Sequence, residues 1–178
     1  MSLAEIYENA AYSYDPKHPT QRWWVIPNLM VGGSIVDAAD YRHLVKDFGI
    51  ASVLNVETEH SDDGKDIDRL CECQVPDNAQ GFPVETIRTA VSFAKMMQGK
   101  PLYCHCQMGG SRSPAFAYAI LRWVYDMNPT DALNAVRAGK DWQKRDIHGN
   151  LTGGSGMVYG DHPAHKAYIA SIEEAFKV

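Results

Sequence analysis

The chain has 178 residues, of which 45% are hydrophobic, and a formal net charge of −5. This length and apolar content predict one globular domain over residues 1–178, and the negative charge argues against a surface for nucleic acids or anionic membranes. Four cysteines do not indicate a disulfide scaffold in a chain of this size. No apolar run approaches the ~20 residues of a membrane helix.

The N-terminal stretch Met1–His18 mixes charged, small and aromatic residues, so it lacks the apolar block of a signal peptide. Ser2 stands where N-myristoylation requires a glycine. We therefore expect a cytoplasmic protein, in a compartment that keeps thiols reduced.

Apolar runs rich in β-branched and aromatic residues alternate with stretches of helical periodicity. The predicted strands are Trp23–Ile26, Leu29–Val31, Ala51–Val56, Leu70–Val75 and Pro101–His105. The predicted helices are Val36–Phe48, Val84–Met97, Ser113–Tyr125, Asn128–Ala138 and His162–Phe176. Strands alternating with helices indicate an α/β fold in which a mostly parallel central sheet is flanked by helices on both faces.

Residue types mark some of the helix faces and helix ends. The first helix is predicted to bury a side that includes Val36 and Val45. Asn128 is a predicted N-cap, Pro129 occupies the first helical position, and Gly139 is expected to end that helix.

The segment His105–Ser113 carries the main functional signal. Five residues separate Cys106 from Arg112, and two of the five are glycines that permit a tight loop at the start of a helix. Backbone N–H groups in such a loop form a nest for a phosphate-sized anion, and the same field stabilises a cysteine thiolate. The guanidinium matches two phosphate oxygens. A nucleophile, an anion cradle and a positive clamp are thus predicted where open α/β sheets bind their ligands.

This run resembles the signature loop of the cysteine-dependent protein tyrosine phosphatases, which reads His-Cys-five residues-Arg-Ser/Thr. Its flanks are most similar to the small dual-specificity branch of that family. Other segments that resemble the branch, within residues 22–140, are Asn28–Gly33, Gly49–Val56, Val75–Asp77 and Asn128–Arg137. The resemblance implies a phosphatase of the α/β fold that uses no cofactor and no metal.

A two-step reaction follows for these residues. Cys106 attacks phosphorus and forms a cysteinyl-phosphate that water hydrolyses, while Arg112 binds the phosphoryl oxygens. The resemblance implies that Ser113 hydrogen-bonds the thiolate, that His105 orients the loop and that the Asn55 amide braces it. The predicted substrate-binding residues are Gln107, Met108, Gly109, Gly110, Ser111, Arg112 and Asn55.

The departing oxygen needs a proton, so a carboxylic acid is expected on a neighbouring loop. Asp77 is the candidate, because it follows a predicted strand that we expect to lie beside the strand of the signature loop. A simple turn aspartate next to Pro76 is the alternative. Other acidic residues, in a charged stretch expected to be a solvated loop, are Asp62, Asp63 and Asp66.

Residues 107–111 contain no basic side chain, which suits a single phosphate better than a polyanionic inositol lipid. The predicted partner is therefore a phosphorylated protein or peptide, with phosphotyrosine first and phosphoserine or phosphothreonine as further candidates. The same chemistry on a phosphoinositide, an RNA 5′-triphosphate or a sugar phosphate is one alternative. A phospho-binding module without turnover is another.

Two other uses of the cysteines compete with this interpretation. A zinc site would draw its four thiols from Cys71, Cys73, Cys104 and Cys106, although such a site leaves the loop glycines unexplained. Alternatively, Cys104 or Cys71 is a redox partner of Cys106, against which we favour core packing for both. The glycine-rich segment Gly149–His162 departs from the pattern of the branch, and an ordered lid and a flexible loop both fit it.

Overall fold

The computed structural model of the protein describes residues 22–142 and 159–177. Met1–His18 and most of Gly149–His162 lie outside these residues. At the centre is a five-stranded sheet consisting of β1 (Arg22–Ile26), β2 (Leu29–Gly32), β3 (Ser52–Asn55), β4 (Leu70–Glu72) and β5 (Leu102–His105). The strands lie in the order β1-β2-β5-β3-β4, with β1 antiparallel to β2 and the other pairs parallel. The predicted, mostly parallel sheet is confirmed.

Five helices are described: α1 (Ala38–Phe48), α2 (Val84–Met96), α3 (Arg112–Trp123), α4 (Pro129–Trp142) and α5 (Pro163–Ala175). Helix α1 covers one face of the sheet, and α2 to α5 pack together on the other. Alternation along the strands produces the two faces, because Val53 packs with α1 whereas Leu54 packs with the opposite core. Across the described ranges, no helix combines the length and apolar content needed to span a bilayer.

The buried side of α1 differs from the prediction. Val36 lies before the helix, and both Val36 and Val45 are exposed. The helix begins after Asp37, whose carboxylate accepts the N–H groups of the first turn. Asp40 is buried instead, because it forms an ion pair with the equally buried Arg22 of β1.

The ends of two further elements also differ from the prediction. Asn128 Oδ1 accepts from the N–H of Asp131 at 3.0 Å, as expected of an N-cap, but α4 continues through Gly139 to Trp142. Strand β4 ends at Glu72 rather than Val75. A glycine late in a helix lowers helix stability without forcing an end, so the periodic pattern outweighs it.

Candidate active site

The signature loop connects the central strand β5 to helix α3. The last residue of β5 is His105, and Cys106 follows it at the carboxyl edge of the sheet. Arg112 begins α3, so the cysteine and the arginine lie at the two ends of the loop. Cys106 is only 2% exposed, and its backbone N–H donates to the Gly32 carbonyl at 3.2 Å. The nucleophile candidate therefore lies at the base of the loop.

Close packing against the end of β2 requires a glycine at position 109. Gly109 has a φ of +72°, and a Cβ there would lie 2.6 Å from the carbonyl carbon of Gly32. Met108 next to it forms an isolated β-bridge with Gly33, while its side chain is 73% exposed. Gly110, by contrast, has open space where a Cβ would stand. Only one of the two loop glycines is thus required by packing.

Ser113 lies directly behind the cysteine. Its Oγ is 3.4 Å from Cys106 Sγ, within hydrogen-bond distance for a sulfur atom, and donates to the Gly32 carbonyl at 3.2 Å. Both side chains are buried, so water does not compete for these contacts. The structure therefore brings together the thiol and the hydroxyl that the sequence paired.

Arg112 is buried and fixed by several hydrogen bonds. Nη1 and Nη2 each donate to the Glu59 carboxylate at 2.8 Å, and Nη1 also donates to the Val75 carbonyl at 3.1 Å. Its buried Nε has no hydrogen-bond partner among the described residues, and the Asp77 carboxylate is 3.8 Å away. Burial acts to lower the pKa of the guanidinium, but Glu59 and Cys106 outweigh it, so the pKa is raised. Arg112 thus stays charged, and its Nε N–H is available to an anion.

Glu59 is the main residue that the sequence reasoning missed. Hydrogen bonds from Arg112 lower the pKa of its carboxyl, against the effect of burial. Glu59 lies four positions after the end of β3, the strand next to β5. The carboxyl ends of neighbouring parallel strands lie at one edge of a sheet, so the position of Glu59 in the sequence could have predicted that it lies near the signature loop.

Asn55 braces the segment that carries Glu59, not the signature loop. Its Nδ2 donates to the His60 carbonyl at 3.0 Å, and its Oδ1 accepts from the N–H of Glu57 at 2.9 Å. The predicted bracing of the signature loop by this amide is therefore wrong. Asn55 is opposite His105 in the sheet register, and its side chain closes the turn that follows β3.

We expect Glu59→Gln to lower the free energy of unfolding by about 1 kcal/mol at neutral pH, because an amide accepts fewer charge-assisted bonds from Arg112. The folded-state pKa of Glu59 is lowered, so the ion pair is complete above the ordinary titration range of a glutamate. It is lost as the pH falls through the folded-state value. Denaturant unfolding of both proteins at neutral and at acidic pH should therefore show a difference that becomes smaller as the pH falls.

The matched control is Glu174→Gln, which breaks an exposed pair with Lys177. Both members of that pair face water, so we expect a change of less than about 0.5 kcal/mol. Equal stability of the wild type and Glu59→Gln at neutral pH would contradict a strong bond between Glu59 and Arg112.

His105 contacts one buried acid and lies near a second. Its Nε2 lies 2.5 Å from Asp62 Oδ2, and its Nδ1 lies 3.9 Å from Glu57. The predicted solvated loop is wrong for Asp62, which is buried and also accepts from Lys65 Nζ at 2.7 Å. Burial raises the pKa of Asp62, but the hydrogen bonds from His105 and Lys65 outweigh it and lower the pKa. Paired charges thus allow an acidic stretch to enter the interior.

Asp77 reaches the signature loop although its strand does not adjoin β5. Strand β3 lies between β4 and β5, so the predicted adjacency is wrong. The chain after β4 instead follows the end of β3, where the N–H of Val75 donates to the Val56 carbonyl at 3.3 Å. The Val75 carbonyl then accepts from Arg112, which places Asp77 beside the loop.

The two oxygens of Asp77 have different surroundings. Oδ1 accepts from Tyr168 Oη at 2.6 Å and from Ser111 Oγ at 3.4 Å. Oδ2 lies 3.8 Å from Arg112 Nε. The side chain is 44% exposed, so solvent or a bound molecule can reach it.

Tyr159 is a further residue that the sequence reasoning missed. It is fully buried, stacks on His165 at 4.3 Å, and donates to the Ser111 carbonyl at 3.3 Å. It belongs to the part of Gly149–His162 that the structure describes. There the chain packs behind the signature loop, and no local pattern in the sequence predicts that contact.

A scan against protein-family models gives no match, and no curated protein matches the sequence. Solved structures do match. PTPMT1 in complex with PI(5)P has a TM-score of 0.63 and 16% identity, covering 86% of this chain and 96% of that chain. Human DUSP28 has a TM-score of 0.61 and 16% identity, covering 87% and 94%. The chain has the protein tyrosine phosphatase fold.

A mouse protein described as a dual specificity phosphatase, complexed with zinc tungstate, has the same phosphatase fold. Its TM-score is 0.61 at 15% identity, covering 91% of this chain and 90% of that chain. The resemblance of the sequence to the small dual-specificity branch is thereby confirmed at the level of the fold.

The other cysteines of this phosphatase fold do not assemble around Cys106. Cys71 and Cys73 have their sulfur atoms 3.4 Å apart on β4 and just after it, while Cys104 lies in the core. Burial raises the pKa of Cys104 well above the ordinary value, as expected of a packed, unreactive thiol. Within residues 22–142 and 159–177, no three His, Cys, Asp or Glu side chains are arranged to hold a metal ion.

Proposed function

We propose that this protein is a phosphatase that hydrolyses phosphomonoesters through a cysteinyl-phosphate intermediate. The carrying observation is the buried Nε of Arg112, which has no hydrogen-bond partner among the described residues, on a loop whose base holds Cys106. A buried cationic N–H without an acceptor is costly, and a phosphate oxygen would satisfy it. The shared fold of solved phosphatases supports the proposal.

In the first step, the Cys106 thiolate attacks phosphorus, an S–P bond forms, and the P–O bond to the leaving group breaks. Asp77 gives its proton to the departing oxygen. In the second step, water attacks phosphorus and gives a proton to the Asp77 carboxylate, while the S–P bond breaks and inorganic phosphate leaves. Ser113, whose Oγ lies 3.4 Å from the sulfur, turns its O–H from the Gly32 carbonyl to the departing thiolate. Arg112 binds phosphoryl oxygens in both steps.

For the substrate, we propose a phosphorylated protein or peptide in the cytoplasm, with phosphotyrosine preferred over phosphoserine and phosphothreonine. Residues 107–111 are uncharged, and the carboxylates of Glu59 and Asp77 adjoin Arg112. A second phosphate on the substrate would meet these carboxylates at short range. A monophosphate on an otherwise neutral or basic segment avoids that repulsion.

The second candidate is a phosphoinositide, because a structure that shares the fold, PTPMT1, was solved in complex with PI(5)P. An RNA 5′-triphosphate or a sugar phosphate would use the same chemistry. The net charge of −5 disfavours RNA. A phospho-binding module would keep the anion site without turnover.

Phosphate release by the wild type from phosphotyrosyl peptide, phosphoseryl peptide, PI(5)P, RNA 5′-triphosphate and a sugar phosphate tests the proposal. We expect kcat/KM on the phosphotyrosyl peptide to exceed that on PI(5)P by about tenfold or more, because the carboxylates of Glu59 and Asp77 beside Arg112 repel additional phosphates. EDTA should leave the rate unchanged, and vanadate should inhibit as an oxyanion. A higher kcat/KM on PI(5)P would favour the lipid, and binding without release of phosphate would favour the binding module.

A further inference from the structure

We propose that Tyr168 is a positioning residue for proton transfer: its hydroxyl occupies Oδ1 of Asp77, so that the transferable proton resides on Oδ2. The inference rests on the proposed function, in which Asp77 is the general acid. Tyr168 lies on α5, 91 positions along the chain from Asp77, and is fully buried. An immobile donor therefore holds a carboxyl group that is itself 44% exposed.

The hydroxyl of Tyr168 makes two bonds to the acid loop, residues 77–82. It donates to Asp77 Oδ1 at 2.6 Å and accepts from the N–H of Ala79 at 3.0 Å. Ser111 Oγ adds a second, longer contact to the same oxygen at 3.4 Å. Both hydroxyl donors thus converge on Oδ1, which leaves Oδ2 to carry the proton of the acid form.

Helix α5 also packs against the C-terminal end of the acid loop, at Gly81 and Phe82. The Tyr168 ring stacks on Phe82 with centroids 4.2 Å apart and planes 14° apart. Ser171 Oγ accepts from the N–H of Phe82 at 3.0 Å, and a Cβ at Gly81 would lie 2.9 Å from Ser171 Cβ. The loop is therefore fixed at both ends by one helix, and the carboxyl cannot turn away without breaking these contacts.

The charges around the carboxyl agree with this role. Burial, together with the bond to Asp77, raises the pKa of Tyr168 to about 12, so its O–H remains a donor at neutral pH. On the other side, Arg112 Nε lies 3.8 Å from Oδ2 and interacts with Cys106. Tyr159 also faces the site, and burial raises its pKa well above the ordinary value, so it adds no charge there. Oδ2 thus lies on the side where the phosphoryl group would bind.

Tyr168→Phe removes the hydroxyl and keeps the stacking ring. We expect kcat/KM for phenyl phosphate, a poor leaving group, to fall about tenfold, with less than a threefold fall for difluoromethylumbelliferyl phosphate, an acidic phenol that needs little protonation. A residue that only supports the fold would lower kcat/KM for both substrates equally and would not shift their ratio.

The background of Asp77→Asn separates positioning from packing. There we expect Tyr168→Phe to change kcat/KM less than twofold, since the acid is already gone. The matched control is Tyr118→Phe, which removes a buried hydroxyl that donates to Glu173 at 2.6 Å on α5, and which should leave the leaving-group ratio unchanged. Ser171→Ala, which frees the other end of the loop, should act in the same direction as Tyr168→Phe but more weakly.

An equal fall on both substrates, or a further loss in the Asp77→Asn background, would overturn the positioning role. If Tyr168→Phe does not fold, as judged by its thermal transition, Ser171→Ala decides by the leaving-group ratio and by its effect in the Asp77→Asn background. Absence of phosphate release from every substrate by the wild type would instead defeat the proposed function. The two failures are therefore distinguishable.

Discussion

Cys106→Ser is expected to lower kcat/KM on the preferred phosphomonoester by about 10⁴-fold or more, the size of effect seen when a covalent nucleophile is removed. A serine hydroxyl is not ionised in this loop at neutral pH. The variant therefore lacks both the thiolate that attacks phosphorus in the first step and the thiolate that departs in the second. The loop itself should persist, because the backbone of Cys106 still donates to the Gly32 carbonyl. Steady-state phosphate release measures the effect.

Cys71→Ser is the matched control, since Cys71 is a partly exposed thiol of β4 that is not part of the signature loop. We expect its kcat/KM to stay within about twofold of the wild type, as surface substitutions usually do. The thermal transition of Cys106→Ser should confirm a folded protein. A rate near that of the wild type in Cys106→Ser would disprove covalent catalysis by this residue.

Arg112→Lys is expected to lower kcat/KM by about 10³-fold, although the positive charge is kept. An ammonium is a point charge, and it cannot hold the Glu59 carboxylate with two nitrogens while offering a third N–H to the phosphoryl oxygens. The loss should appear in kcat as well as in KM, because the guanidinium, through its Nε, binds the transition state more tightly than the substrate. Vanadate should bind correspondingly more weakly.

Arg122→Lys supplies the control for this substitution. Arg122 also holds a carboxylate with two nitrogens, binding Glu173 at 2.6 and 3.1 Å, but it lies ten residues further along α3. That spacing is about 15 Å along a helix axis, too far for contact with a bound phosphate. We expect less than a twofold change in kcat/KM for Arg122→Lys. Retention of more than a tenth of wild-type activity in Arg112→Lys would count against the clamp.

Contacts that are close in sequence were predictable. Cys106, Arg112 and Ser113 lie within eight consecutive residues, and a strand, a loop and a helix fix their relations locally. The mostly parallel sheet also followed from the alternation of strands with helices. These features depend on short-range geometry, which a sequence pattern records directly.

Contacts between distant positions were not predictable from patterns. Glu59 bonds a residue 53 positions away, and Asp62 bonds His105 across 43 positions. Both acids lie in a stretch whose composition is typical of solvated loops, and the basic side chains that they contact come from distant positions that no local pattern records. The predicted adjacency of β4 and β5 is wrong for a related reason, because the order of strands across a sheet depends on contacts between distant parts of the chain.

The dependence of the acid loop on α5 has a consequence for biosynthesis. As the chain leaves the ribosome, β5, the cysteine loop and α3 are complete well before residues 163–175 exist. The loop of residues 77–82 gains its stacking partner and the hydroxyl on its carboxylate only when α5 docks. Under the proposed function, the nascent chain would therefore contain its nucleophile before its proton donor is held in place, and full competence would wait until α5 has docked.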